Sequence, residues 1–335
     1  MPNIVNRTGL QAKLLLTFCA LIASACFTVR APQNAGIPAV KKTAVLPLNA
    51  PDESLKEAEQ LSLHKDYEAV QKLLVPYQAT NPRAKLWQRW LLGQALMERG
   101  ALEPGFELLE ANYRDLRDAS AGWDADAYRV AARSLKKIGW YYRQKKEFER
   151  AYTYHHLQYL YLARFGSPDE IHDALISLDF DSYELQQAYA SEHWLREALR
   201  VGETIEEDLP RTKALATTWN NLSDTLRIQK RWTEAAQAGL ESQNLWRVWD
   251  ASNGAKDRRE LWALIQTASI YGDWATSLDD PTEATNQFNQ AHELARTASL
   301  LAAKLQLDVA EQAEIDSRLK IYQAPLQKPS ADVPK

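Results

Sequence analysis

The stretch RSLKKIGWYYRQKKEFERA, residues 133–151, decides the fold. Leu135, Ile138, Gly139 and Tyr142 fall at i, i+3, i+4 and i+7, which is one face of an α-helix. Ala151 follows nine residues after Tyr142, on a second helix that starts beyond the polar run Gln144 to Glu147. Small residues at 139 and 151 let two antiparallel helices approach closely, while the large residues fill the space between neighbouring units.

The same spacing returns twice in full. Trp219, Leu222-Ser223 and Leu226 lead to Ala235 and Ser242; Ala268, Tyr271-Gly272 and Ala275 lead to Ala284, Phe288 and Ala291. Two partial copies run Leu92-Gly93, Leu96, Gly105, Leu109 and Leu175, Leu178, Ser191, Leu195, Ala198. A degenerate first copy holds Ala69 and Leu73 and closes on Asn81-Pro82. On these residues the chain resembles the tetratricopeptide-repeat (TPR-like) superfamily over residues 53–300. The resemblance implies an all-α fold, a right-handed α-α superhelix of about six helix pairs. Residues 305–321 are expected to form a capping helix over the last pair. The small second-helix residues 105, 151, 191, 235 and 284 lie 46, 40, 44 and 49 residues apart. The common repeat is about 34 residues long, so helices or connections must be longer here. The repeat domain is placed at 53–322.

Composition agrees. Among 335 residues there are only 12 Gly, while 11 Trp all lie beyond residue 86. A formal charge of −4 with no basic stripe argues against nucleic acid as the main ligand.

The resemblance implies that the first helix of each pair lines a concave face. Counted from the apolar-small pairs, its inward residues are Trp87, Trp90, Arg133, Lys136, Trp140, Arg143, Tyr183, Asn220 and Arg227, with Gln94, Phe180 and Asp224 beside them. Aromatic and guanidinium groups are the side chains that carry binding energy at protein interfaces, so protein or peptide partners are expected there. Some TPR relatives grip a peptide C-terminus with Lys, Arg and Asn. Lys136, Arg143 and Asn220 are of those types, without matching that clamp strictly. Lys136 and Arg143 lie off the core stripe and are expected to be dispensable to the fold. The alternative for each aromatic is a place in the core.

The N-terminus carries a separate message. Residues 1–13 hold Arg7 and Lys13 and no acid, and residues 14–25 are an uncharged apolar run too short for a comfortable membrane span. Ala23-Ser24-Ala25 precedes Cys26, an arrangement that resembles a bacterial lipobox, with Ala23 where Leu is commonest. The resemblance implies a signal peptide over 1–25, cleavage before Cys26 and lipid on its thiol. Phe27 in place of Asp implies the outer membrane. Ordinary cleavage after Ala25 and an uncleaved anchor are the rival readings. The only other cysteine, Cys19, leaves with the leader, so the mature chain has no intrachain disulfide and no cysteine-based metal site. Residues 26–52, with Pro32, Pro38, Pro47 and Pro51, read as a disordered tether, and residues 323–335 as a disordered tail.

No signature of chemistry stands out. The histidines His64, His155, His156, His172, His193 and His292 show no HExxH spacing, and GxSxG, GxGxxG and GxxxxGK[ST] are absent. No cofactor and no metal are expected. One enzymatic alternative survives, a helical carbohydrate-active enzyme. Asp179, Asp181, Asp224 and Asp273 on first helices would then supply the general acid and base. Otherwise they are solvated helix residues. The expected protein is a non-enzymatic scaffold of the bacterial cell envelope, with a soluble periplasmic or secreted adaptor as a further alternative.

Overall fold

The computed structural model describes residues 48–118, 123–254, 258–307 and 309–323, all within one compact unit spanning 40–335. The leader 1–25, Cys26, the tether as far as residue 47 and the tail beyond Gln323 lie outside the described residues. Of the last tether residues, Leu48 and Ala50 are buried in the first core, and Arg83 donates to the Asn49 carbonyl at 2.7 Å.

Thirteen helices and no strand occur among the described residues. They form six antiparallel pairs. These are α1 (Glu53–Leu63) with α2 (Tyr67–Leu74), α3 (Pro82–Glu98) with α4 (Leu102–Asp118), and α5 (Ala125–Gln144) with α6 (Phe148–Phe165). There follow α7 (Pro168–Glu184) with α8 (Ala188–Gly202), α9 (Asp208–Ile228) with α10 (Trp232–Asn253), and α11 (Arg259–Thr276) with α12 (Pro281–Lys304). A last helix, α13 (Val309–Gln323), packs on α12 and α11. Each helix touches its neighbours in sequence and the pairs stack as a right-handed TPR-like superhelix. The capping helix starts later than expected, because α12 runs on to Lys304 before the chain turns. Helices of up to 24 residues account for the long repeat period.

Local chemistry sets the helix ends. Asp52, Asp66, Asn81 and Asp124 each accept from the backbone N–H three residues on, and Ser167 with Glu170 forms a reciprocal capping box. Inside five of the pairs the turn is the same. The helix ends, one residue takes a left-handed conformation, and the next N–H reaches back five residues to a carbonyl. Those residues are Lys65, Gly100, Lys146, Gln186 and Lys230, and the bonds for the last three are Glu147 to Tyr142, Gln187 to Ser182 and Arg231 to Leu226. Only one of the five is glycine.

The core is a string of clusters between successive helices, as a stacked array requires. A Cβ on Gly105 would stand 2.6 Å from the Gly93 carbonyl oxygen, and one on Gly139 would strike the His155 ring. Gly139 is therefore the seat of a histidine. Ala151, Ser223 and Ala235 are fully buried, whereas Ala284, expected at an equivalent crossing, is only half-buried. On the second helix of the first pair the buried residues are Val70 and Leu74, one position after the expected Ala69 and Leu73.

Candidate functional site

The first helices of the pairs, α1, α3, α5, α7, α9 and α11, lie side by side. The backbones of α1 and α3, α3 and α5, α7 and α9, and α9 and α11 pack directly. Those of α5 and α7 hardly touch, and side chains span the gap. Arg133 reaches Glu170 of α7 at 3.1 Å and Glu59 of α1 at 3.4 Å, and Arg129 meets the same Glu170 at 2.9 Å. Lys136 meets Asp173 at 2.6 Å. Arg143 donates through Nε to Asp181 at 2.6 Å and through a terminal nitrogen to the Ser177 carbonyl, with its guanidinium over the Phe180 ring. Burial works to raise the Glu170 carboxyl, but the two guanidiniums hold it below the usual range.

This seam opens into a cleft of about 320 Å³. Trp90 and Gln94 of α3 form one side, Asp173 of α7 the other, and Gln158 and Leu162 of the second helix α6 also border it. A second cleft of about 200 Å³ lies between α7, α9 and α11. It is bordered by Asp179, Phe180, Tyr183, Asn220, Asp224 and Gln266, among others. Asp179 is buried and accepts from Ser191 at 2.6 Å and Asn221 at 3.0 Å. These donors are neutral, so desolvation dominates and pushes its carboxyl up to about 6. The Tyr183 hydroxyl donates to Asp224 at 2.7 Å; burial and that carboxylate raise the phenol to about 12.

Of the residues expected on the concave face, Trp90, Arg133 and Lys136 come together in the first cleft, and Tyr183 and Asn220 in the second. Trp87 does not belong: it is 0 % exposed and part of the first core, because the closely packed α3 buries more than one stripe. Trp90 is itself 4 % exposed, its ring covered by the Arg133 guanidinium at 5.0 Å. Trp140 is half-buried against the first core, with Lys137 over its ring. Arg227 bridges Asp224 at 2.8 Å and Asp273 at 2.9 Å.

Arg143 is a correction. It is not a free charge off the core stripe but the partner of Asp181, whose carboxylate is 0 % exposed. Asp181 also accepts from the buried His155 Nδ1 at 2.5 Å, and desolvation lowers His155 below its ordinary value. Asp181 is thus structural and stands apart from the second cleft. Sequence reasoning missed Glu59, Glu170 and Gln158. The two acids sit in helix stretches that lack a clear repeat, and Gln158 lies on a second helix, where no inward face was sought.

Among the described residues no three His, Cys, Asp or Glu side chains stand where they could hold one metal ion, and no helix is long and apolar enough to cross a membrane.

The architecture is that of tetratricopeptide-like repeat proteins. No family model and no curated relative matches the chain. Solved structures do resemble it. A signal-transduction ATPase with numerous domains and a tetratricopeptide repeat sensor, from Pyrococcus horikoshii, has a TM-score of 0.54 at 13 % identity. The likeness covers 82 % of this chain and 42 % of that one, so the chain spans less than half of that protein's length. BtubC from P. vanneervenii has a TM-score of 0.48 at 14 % identity, covering 84 % of this chain and 94 % of its own. NprR, solved in complex with its cognate peptide NprX, has 0.45 at 16 %, covering 82 % and 78 %. At such identities the likeness concerns fold.

Proposed function

We propose that the chain is a non-enzymatic scaffold of the bacterial cell envelope. It is tethered to the outer membrane by a lipid on Cys26, faces the periplasm, and captures protein or peptide partners on the face formed by its first helices. The observation that supports this most is the pair of clefts on that one face, bordered by aromatic, amide and charged side chains from successive repeats. Such a surface offers rigid apolar area beside polar groups that fix orientation. The test uses residues whose replacement spares the core. Lys136 and its partner Asp173 are both about half exposed, and Asn220 borders the second cleft. Lys136→Glu combined with Asn220→Ala should fold normally and lose partners captured by crosslinking in cells. Undiminished recovery of every crosslinked partner sinks the assignment. Mass spectrometry of the mature N-terminus tests the anchor, and an unmodified Cys26 or a free Phe27 would refute it.

One observation favours a second reading, a helical carbohydrate-active enzyme. Asp179 is held near pH 6 beside Asp224 in the second cleft, and a carboxyl raised by burial is what a general acid needs. On that reading Asp179→Asn or Asp224→Asn abolishes turnover of an envelope or plant polysaccharide while binding persists. On the scaffold reading no polysaccharide is turned over by the unaltered chain.

A further inference from the structure

At the seam between α5 and α7 a buried side chain of the second helix α6 reaches the lining of the first cleft. Gln158 of α6 borders the first cleft yet is only 2 % exposed, and its Oε1 has no hydrogen-bond partner. A half-turn of the amide exchanges its oxygen and nitrogen, so the group can present either end. A desolvated amide end left unpaired costs about 1–3 kcal/mol, so a ligand that pairs with it gains selectively over one that cannot. The rim gives no preference for an ion. Arg133, Lys136 and Lys137 are matched by Glu59, Glu170 and Asp173 in the same lining. The cations are already engaged, Lys136 with Asp173 and Lys137 with Glu98. Leu162 and Gln94 complete the interior with an apolar wall and a second amide.

We infer that the first cleft recognises a neutral amide group of an extended peptide, received by Gln158 between α5 and α7, with Gln94 of α3 elsewhere in the same lining. An amide has the donor and the acceptor needed to pair with a glutamine reciprocally and carries no charge that the buried floor would have to desolvate. It can come from an Asn or Gln side chain or from the peptide backbone. The inference rests on the binding-face reading above and names the chemistry of its first cleft.

The full chain labelled with ¹⁵N-glutamine tests it, with the side-chain resonances of Gln158 and Gln94 assigned through Gln158→Met and Gln94→Met. The probes are four tripeptides with blocked ends, Gly-Gln-Gly, Gly-Glu-Gly, Gly-Lys-Gly and Gly-norleucine-Gly. The Gln158 side-chain resonance should move on titration of the unaltered protein, and Gln158→Met should weaken binding about tenfold or more. Preference for the glutamine probe identifies a side-chain amide; equal binding of all four, each weakened by Gln158→Met, identifies the backbone. A Gln158 resonance that stays fixed with every probe overturns the inference, as does tenfold tighter binding of a charged probe, or binding that Gln158→Met leaves unchanged. The binding-face reading stands or falls separately, on crosslinked partner capture.

Discussion

Charge at single residues splits into two kinds that the sequence presents alike. Lys136 and Arg143 are both cations on α5, but Lys136 faces an exposed partner while Arg143 faces a carboxylate sealed from water. Exposed ion pairs contribute little, whereas breaking a buried pair strands a charge. Arg143→Glu should therefore cost about 3–5 kcal/mol in urea unfolding, and Lys136→Glu less than about 1 kcal/mol. Equal losses would mean that the Asp181 site tolerates rearrangement. A second residue-scale prediction concerns pH. His172 is buried beside the Thr218 hydroxyl, and desolvation lowers it from 6.5 to about 4. Its protonation favours the unfolded chain, so its contribution is full above pH 6.5 and is lost as pH falls through 4. Asp179, raised from 3.8 to about 6, acts in the opposite sense: its contribution is full below pH 3.8 and is lost as pH rises through 6. Each is worth on the order of 3 kcal/mol, so the two largely offset one another between pH 4 and 6.5. Asp179→Asn should remove one side of that balance. The variant's unfolding free energy should rise with increasing pH over this window more steeply than that of the unaltered chain, and parallel profiles would refute the assignment.

At the scale of elements, the pair turns conserve a shape without conserving a residue. Lys146, Gln186 and Lys230 each adopt a positive φ near 60°, which costs an L-residue with a Cβ roughly 1–2 kcal/mol. Glycine removes that strain and returns part of the gain as chain entropy. Lys230→Gly should stabilise the chain by about 0.5–1 kcal/mol in thermal or urea unfolding; a loss would show that the Lys230 side chain holds the turn. These turns explain how far the sequence could be read. The helix pairs were legible because Leu135, Ile138 and Tyr142, and their counterparts, are driven into the core by burial, and a periodic stripe records that directly. The turns carry no Gly or Asn signal in four of five cases, so their form was not legible. The site was legible in part. Inward positions follow from helical phase, which found Trp90, Arg133, Lys136, Tyr183 and Asn220. Phase does not say how closely neighbouring helices pack, which is why Trp87 was misplaced and Gln158 missed.

Across the whole array, apolar clusters run through the successive interfaces while ion pairs occur on first and second helices alike, Arg133–Glu170 on the former and Arg231–Glu192 near the starts of the latter. Where α5 and α7 separate, long side chains from Arg129, Arg133, Lys136 and Arg143 replace backbone packing on that face. Of these pairs only Lys136–Asp173 is largely exposed, and salt shortens the range of its attraction from about 10 Å at 0.1 M to about 3 Å at 1 M, whereas the buried pairs are screened far less. Small-angle scattering should accordingly give a radius of gyration that hardly changes with salt over that range, with helix content by circular dichroism also unchanged. A radius that grows with salt would show that exposed charge holds the array together. Mechanically, the seam is a joint spanned by side chains on the side of the first helices and held on the other side by α6 against α7, so a ligand in the cleft would act as a wedge between two repeats.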